Sequence, residues 1–446
     1  MDASQLNWLS ATDAARAIRD GAISSEQLIE ACLARIREAE PDVQAWQFLD
    51  PEHALRQARE LDDRRRQGAP AGPLHGVPVG IKDIIDTTDM PTEDGTPLHA
   101  GRIPDDDATV VAMLRQAGAV IMGKTVTTEC AYFHPGKTRN PHNPEHTPGG
   151  SSSGSAAAVA AGMVPLALGS QTNGSTIRPA AFCGVYGFKP THGLVPRGGM
   201  LRLSRALDHV GLFARSIEDI ALLGEQIVGF DERDPDTRPR ARPPLVATAA
   251  GDPPMPPRLG FVRGPAWERV DKETEEAFAE LAESLGEALE QLELPLPGDV
   301  LAWHRTLMEA EMAANLDLEW EKGRDKLSEP LRKLLERGRA VPALEYQRAL
   351  ARVPLLNDAL ADLFERVDAI LTPAAPGTAP KGLGATGDPS FCTLWTLCGM
   401  PAISLPLMQG GNGLPLGVQL VGPRHGDARL LRTASWLVGQ ARGEAR

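Results

Sequence analysis

The sequence predicts an α/β fold, and three observations carry that expectation. After Leu74 comes a short β-branched run, GVPVGIKDIID. Next, DATVVAMLRQAGAVIMGKT reads as an amphipathic helix, a glycine and a buried strand, the alternation from which α/β sheets are built. The alternation returns late in the chain with VDAILTP, AISLPL and GLPLGVQLVG, closed by the helical DARLLRTASWLV. At 446 residues, 42% apolar and 24% charged, the chain has ample core and is not disordered as a whole.

The elements follow in order. Residues 1–65 are helical by spacing, with Ala15 and Ile18 on one face, then Leu28, Ile29, Cys32, Leu33 and Ile36. Gly21 is a stop and Ser25 the expected N-cap of the second helix. Residues 70–225 form the main core block. Inside it, residues 147–177 are 31 consecutive positions without Asp, Glu, Lys or Arg. Their six Gly, six Ser and two Pro, with Gln171 and Asn173, exclude a bilayer span. A small-residue helix is expected near 155–161, buried on all faces because nothing on it is polar enough to meet water.

Residues 231–258 hold eight prolines and read as a surface connector. A short strand is expected at 259–262. Residues 265–367, rich in Glu, Leu, Ala and Arg at helical spacing, read as a helical flank or cap, clearest in DKETEEAFAELAESLGEALEQL. Residues 368–446 complete the sheet, so the whole of 1–446 is expected to be one domain.

Composition narrows the function. Lys and Arg total 46 against 59 Asp and Glu, a net charge of −13, which disfavours nucleic acid and acidic lipid as direct partners. The N-terminal MDASQLNWLSATDAARAIRDG lacks a basic stretch followed by an apolar one, so a cytoplasmic location is expected. Cys32, Cys130, Cys183, Cys392 and Cys398 form no CxxC pair and read as small buried hydrophobes. No HExxH or paired-carboxylate spacing stands out, and neither a metal nor a cofactor is expected.

Two patterns are decoys. Residues 118–125, GAVIMGKT, fit GxxxxGK[ST], but the four middle residues are apolar and make a strand, not a phosphate-cradling loop. Residues 150–154, GSSSG, fit the GxSxG nucleophile elbow, yet the later His192, His209, His304 and His425 sit in no triad context and read as surface or hydrogen-bonding residues. What remains is a lone lysine, Lys82, in the apolar strand VPVGIKD beside the uncharged run. It is either a strand-end lysine reaching solvent or pairing with Asp83 or Asp86, or a desolvated lysine whose neutral amine acts as a base on a nearby serine.

A set of motifs then resembles the amidase signature family: PLHGVPVGIKD (73–83), GKTVTTEC (123–130), TRNPHNPEHTPGGSSSGSAAAVAAG (138–162), GSQTNGSTIRPAAFCGVYGFKPTHG (169–193) and GMPAISLPL with GLPLGVQLVG (399–422). The resemblance implies a three-layer α/β/α fold with a central mixed sheet flanked by helices. It also implies hydrolysis of amides, and sometimes esters or carbamates, by a Ser–cis-Ser–Lys triad. Carried over residue by residue, the lysine is Lys82, the cis serine Ser151 and the nucleophile Ser175, with the backbone N–H groups of Thr172, Asn173, Gly174 and Ser175 as the oxyanion hole. The neighbouring Ser152, Ser153 and Ser155 read as turn and N-cap residues. Arg178 and Asn140 read as loop-shaping residues.

The pattern departs from the family's commonest form at Gln171, Asn173 and Arg178, the positions that would brace the loop around Ser175. Asn173 either brings a polar amide to the loop or uses its tolerance of left-handed backbone. Family architecture implies a pocket lined by Tyr132 and Phe133, by Met308 and Met312 near Glu309 and Leu316, and by Trp395 near Cys398. Such a lining favours small uncharged aryl or alkyl amides, anilides, carbamates or urethanes. The alternatives are the glutaminase subunit of a tRNA-dependent amidotransferase and a non-catalytic binding protein on the same fold. The expected partner is a small-molecule amide, with the chain a monomer or homodimer.

Overall fold

The computed structural model describes residues 3–294 and 299–443. The first two long helices, Ala11–Arg19 and Ser25–Val43, are separated by a turn at Gly21, whose φ of 74° needs a glycine. The second is capped by Ser24, not Ser25. The Ser24 hydroxyl accepts from the Gln27 N–H while the Gln27 side chain accepts from the Ser24 N–H, and these reciprocal bonds set the boundary one residue earlier than expected.

Eleven strands among the described residues form one sheet. In chain order they are β1 (Trp46–Leu49), β2 (Pro78–Lys82), β3 (Val120–Thr125), β4 (Leu166–Gln171), β5 (Tyr186–Lys189), β6 (His209–Ala214), β7 (Leu259–Val262), β8 (Leu289–Leu292), β9 (Ala369–Pro373), β10 (Ala402–Gln409) and β11 (Pro415–Val421). Their spatial order is β1-β3-β2-β4-β6-β5-β10-β11-β9-β7-β8. The sheet is mixed: β3, β2 and β4 are parallel, β9, β7 and β8 are parallel, and the strands joining these groups pair antiparallel. β3 occupies most of the GxxxxGK[ST] match, as a fully buried strand.

Alternation along the strands divides the interior in two. Ala369 and Leu371 join one core and Ile370 the other, just as Leu259 and Phe261 part from Val262. One core takes helices from the first 65 residues together with Ile217–Ile227 and Asp427–Ala441; the other takes Val300–Asn315, Glu329–Arg339, Ala343–Phe364 and Ser390–Leu397. The result is a helix-sheet-helix layering.

Two stretches differ from the expected pattern. The proline-rich 231–258 contains a short helix, Leu245–Ala250, that buries Leu245 and Ala249. The amphipathic stretch from 271 is an α-helix only over Lys272–Leu285; a 3-10 turn, Gly286–Ala288, follows, and Leu289–Leu292 then joins the sheet edge as β8. All five cysteines are buried and free. Among the described residues, no helix is long and apolar enough to cross a membrane.

Candidate active site

The site lies at the C-terminal ends of two parallel strands. β2 ends at Lys82 and β4 at Gln171, with Ile81 opposite Leu168, so the lysine leaves the sheet beside Ser170. The uncharged run supplies the rest. Every residue of 147–177 is buried except Ala160 and Asn173, which are half-buried. Its helix, Ser153–Ala160, is buried on almost every face and begins two residues before the expected position. It can press against the sheet because of Gly154, where a Cβ would stand 2.2 Å from the Ala45 carbonyl oxygen and 2.3 Å from the Val126 nitrogen. Ser151 stands two residues before this helix, and the Gly150–Ser151 peptide is cis.

Lys82 is fully buried and pairs with neither Asp83 nor Asp86. Asp83 instead faces Lys124 at 3.8 Å. The Lys82 amine lies 2.7 Å from Ser151 Oγ, 2.8 Å from Ser170 Oγ and 3.1 Å from Ser152 Oγ. Burial holds its pKa well below the ordinary lysine range, opposed only in part by the Asp208 carboxylate. The turn serines therefore behave differently from expectation. None of Ser152, Ser153 and Ser155 caps the helix through its side chain. Ser152 bonds Lys82 and Ser170, Ser153 donates to Val126 O, and Ser155 donates to Leu168 O.

Asp208 is a site residue that sequence reasoning missed. Its carboxylate accepts from the Thr172 hydroxyl at 2.7 Å and from the Leu203 and Ser204 N–H groups at 2.9 Å each. Burial pushes its pKa up to about 6 against those bonds. It follows β4 by 37 positions and no local pattern marks it.

The departures around Ser175 have structural partners. Gln171 Oε1 accepts from the Thr176 and Ile177 N–H groups at 2.9 and 3.0 Å, closing the start of helix Ile177–Cys183, and Nε2 donates to Thr396 Oγ1 at 2.9 Å. A neutral amide thus braces the loop. Asn173 does not adopt positive φ; its side-chain oxygen accepts from Thr393 Oγ1 at 2.7 Å. Arg178 is fully buried and donates to the carbonyls of Gly387 (2.8 Å) and Gly150 (2.6 Å) and to Thr386 Oγ1 (3.1 Å). Asn140 likewise ties Thr147 O and Phe182 O together.

Ser151, Thr172, Asn173, Gly174 and Ser175 share the wall of a narrow cleft. Tyr132, Phe133, Met308 and Met312 line the same cleft, together with Ala131, Leu203 and Pro389. Trp395 does not. It is 2% exposed on helix Ser390–Leu397, where the buried Thr393 and Thr396, rather than the tryptophan, bond the loop at Asn173. Glu309 turns aside to the Arg337 guanidinium, 2.6 Å away.

The family described as Amidase matches residues 27–431 of the chain. The chain belongs to the amidase family. A glutamyl-tRNA(Gln) amidotransferase subunit from Chloroflexus aggregans is 36% identical, over 96% of this chain and 95% of its own length. Among solved structures, the native peptide amidase from Stenotrophomonas maltophilia is 31% identical, with a TM-score of 0.85 and 97% of each chain covered. A chain from a vestigial protein complex that bears on the evolutionary origins of an s-triazine catabolic enzyme is 28% identical, with a TM-score of 0.90, covering 98% of this chain and 99% of its own. This amidase is a signature-family hydrolase on the α/β/α fold that the motifs imply.

Proposed function

We propose that this amidase hydrolyses small uncharged amides through an acyl-enzyme on Ser175, with Ser151 and Lys82 moving the proton. The observation that carries the reading is the buried Lys82 amine, held toward its neutral form and ringed by three serine hydroxyls beside the cleft that Ser175 lines. A neutral amine has two N–H donors and one lone pair. Ser152 gives its own hydroxyl proton to Ser170 O at 3.2 Å, so it accepts from Lys82. Of the three serines only Ser151 lines the cleft, which makes it the path by which a proton reaches the lone pair.

Ser175 Oγ attacks the substrate carbonyl, its proton passes to Ser151 Oγ, and the Ser151 proton passes to Lys82 Nζ. The oxyanion meets the N–H groups of residues 172–175. As the tetrahedral adduct collapses, the C–N bond breaks and the leaving amine takes the proton back from Lys82 through Ser151. Water, deprotonated along the same route, then attacks the acyl-enzyme and releases Ser175.

The cleft wall favours uncharged aryl or alkyl amides, including anilides, and small carbamates or esters. Its one cationic side chain, Arg178, is engaged by backbone carbonyls. The second reading, a glutaminase component of an amidotransferase, is favoured by the relatives named as glutamyl-tRNA(Gln) amidotransferase subunits. Free glutamine, however, brings an α-ammonium and an α-carboxylate, for which that wall has no free ion-pair partner among the described residues.

A panel of glutamine, aliphatic amides, anilides and urethanes separates the readings. Turnover of the uncharged members with little on glutamine is expected, with a fluorophosphonate adduct on Ser175 by mass spectrometry. Glutamine as the best substrate would favour the amidotransferase component, and an unlabelled Ser175 would favour a binding protein.

A further inference from the structure

The backbone carbonyls of the loop around Ser175 are held by separate parts of the chain. Thr172 O meets His304 Nε2 at 2.9 Å, Asn173 O accepts from Thr396 Oγ1 at 2.6 Å, and Gly174 O accepts from the Arg178 N–H at 3.0 Å. These peptides are trans. In a planar trans amide, the C=O of one residue and the N–H of the next point in opposite directions. Whatever grips the Thr172 carbonyl therefore aims the Asn173 N–H, and whatever grips Asn173 O aims the Gly174 N–H. Among the described residues, none of the N–H groups of residues 172–175 meets a protein acceptor.

His304 comes from far away in sequence, 132 positions from Thr172. A carbonyl only accepts, so Nε2 bears the proton. Burial, opposed by the Thr172 carbonyl, pushes its pKa down to about 4, which keeps it neutral at pH 7. On helix Val300–Asn315 it stands one and two turns before Met308 and Met312, on the same stripe. Those two methionines line the cleft. One cap helix thus walls the acyl site and holds the loop beside the nucleophile.

We infer that His304 is a positioning residue of the oxyanion hole, setting the Thr172 peptide so that the Asn173 N–H faces the developing oxyanion, while Thr396 does the same for Gly174. The inference rests on the acyl-enzyme reading above. The cap then contributes to rate as well as to acyl preference, because donors aimed before the reaction need no reorganisation in the transition state.

The test compares His304→Met, which fills the space without a donor, with His304→Gln, whose Nε2–H reaches a similar point, on the best substrate of the panel. Expected is a kcat lower by about 10- to 100-fold in the Met variant with KM within about twofold, and recovery of most of the loss in the Gln variant. Equal kcat in Met variant and wild type overturns the inference, as does a Gln variant as slow as the Met one. If the Met variant does not fold, His304→Asn, one methylene too short, replaces it: slow turnover beside a fast Gln variant is expected, and equal rates overturn the inference. Thr396→Val is expected to lower kcat in the same way. Fluorophosphonate labelling of wild-type Ser175 keeps the two levels apart. No adduct sinks the acyl-enzyme reading itself, whereas an adduct together with unchanged kcat in the His304 variants sinks only the positioning role.

Discussion

At the scale of the residue, Lys82 sets the chemistry through its surroundings. An ordinary lysine at a strand end reaches water, but this one has none of its length exposed and meets only hydroxyls. Lys82→Ala is expected to lower kcat for amides by about 10²- to 10⁴-fold at pH 7, the range over which general acid–base groups contribute. Residual activity near the wild-type level would reject the relay. The same burial makes a stability prediction. With its folded pKa lowered, Lys82 binds fewer protons folded than unfolded at pH values between its folded pKa and about 10.4, so its burden on stability lightens as pH rises toward the latter value. Urea midpoints of Lys82→Met against wild type should therefore favour the variant most near pH 7 and least near pH 10. A gap independent of pH would contradict the depressed pKa.

At the scale of the element, two features can be tested. Gly154 lets helix Ser153–Ala160 lie against the backbone of the strand region, and an added methyl would meet backbone atoms rather than a flexible side chain. Gly154→Ala is expected to destabilise by about 3 kcal/mol or more, the upper end for overpacking, and to displace Ser151. A thermal midpoint equal to wild type would show that the helix can shift. The second feature joins the cap to the core. His99 sits 2.8 Å from Asp94 and 3.1 Å from Glu319, which lies on the cap helix Asp317–Gly323. Those two hydrogen bonds, Asp94 first, raise its pKa to about 9. A raised pKa gives stability that is fully present below the unfolded value of about 6.5 and is lost as pH rises through about 9. His99→Gln should then melt below wild type at pH 6 and level with it by pH 10, as calorimetry at the two pH values would show.

At the scale of the whole molecule, the sheet is the common wall of two cores. Neighbouring residues of β9, Ile370 and Leu371, enter opposite cores. Truncating either to Ala should cost about 2–4 kcal/mol. Because the strand is shared, both should shift the same denaturant transition. Two separable transitions, each moved by one variant, would mean that cap and core unfold independently.

Much of this architecture was legible beforehand for a physical reason. Period-2 and period-3.6 patterns and glycine stops are set by neighbours along the chain, so the strands around VPVGIK, VIMGKT, LGFV and AILTP stand where the pattern puts them. β8 and the helix Leu245–Ala250 escaped because an amphipathic run and a proline cluster hid them. Trp395 packs into the core and not the cleft, and an aromatic near a motif looks alike in either place. By itself, the sequence determined the α/β class, the charge-free run and the resemblance that names Lys82, Ser151 and Ser175. Only the tertiary structure decided which hydroxyls surround the lysine, that Gln171 and Asn173 brace the loop, and that Asp208 and His304 reach Thr172 from 36 and 132 positions away. Those partners are chosen by how elements pack across the sheet, and packing over such distances leaves no periodic trace in the chain.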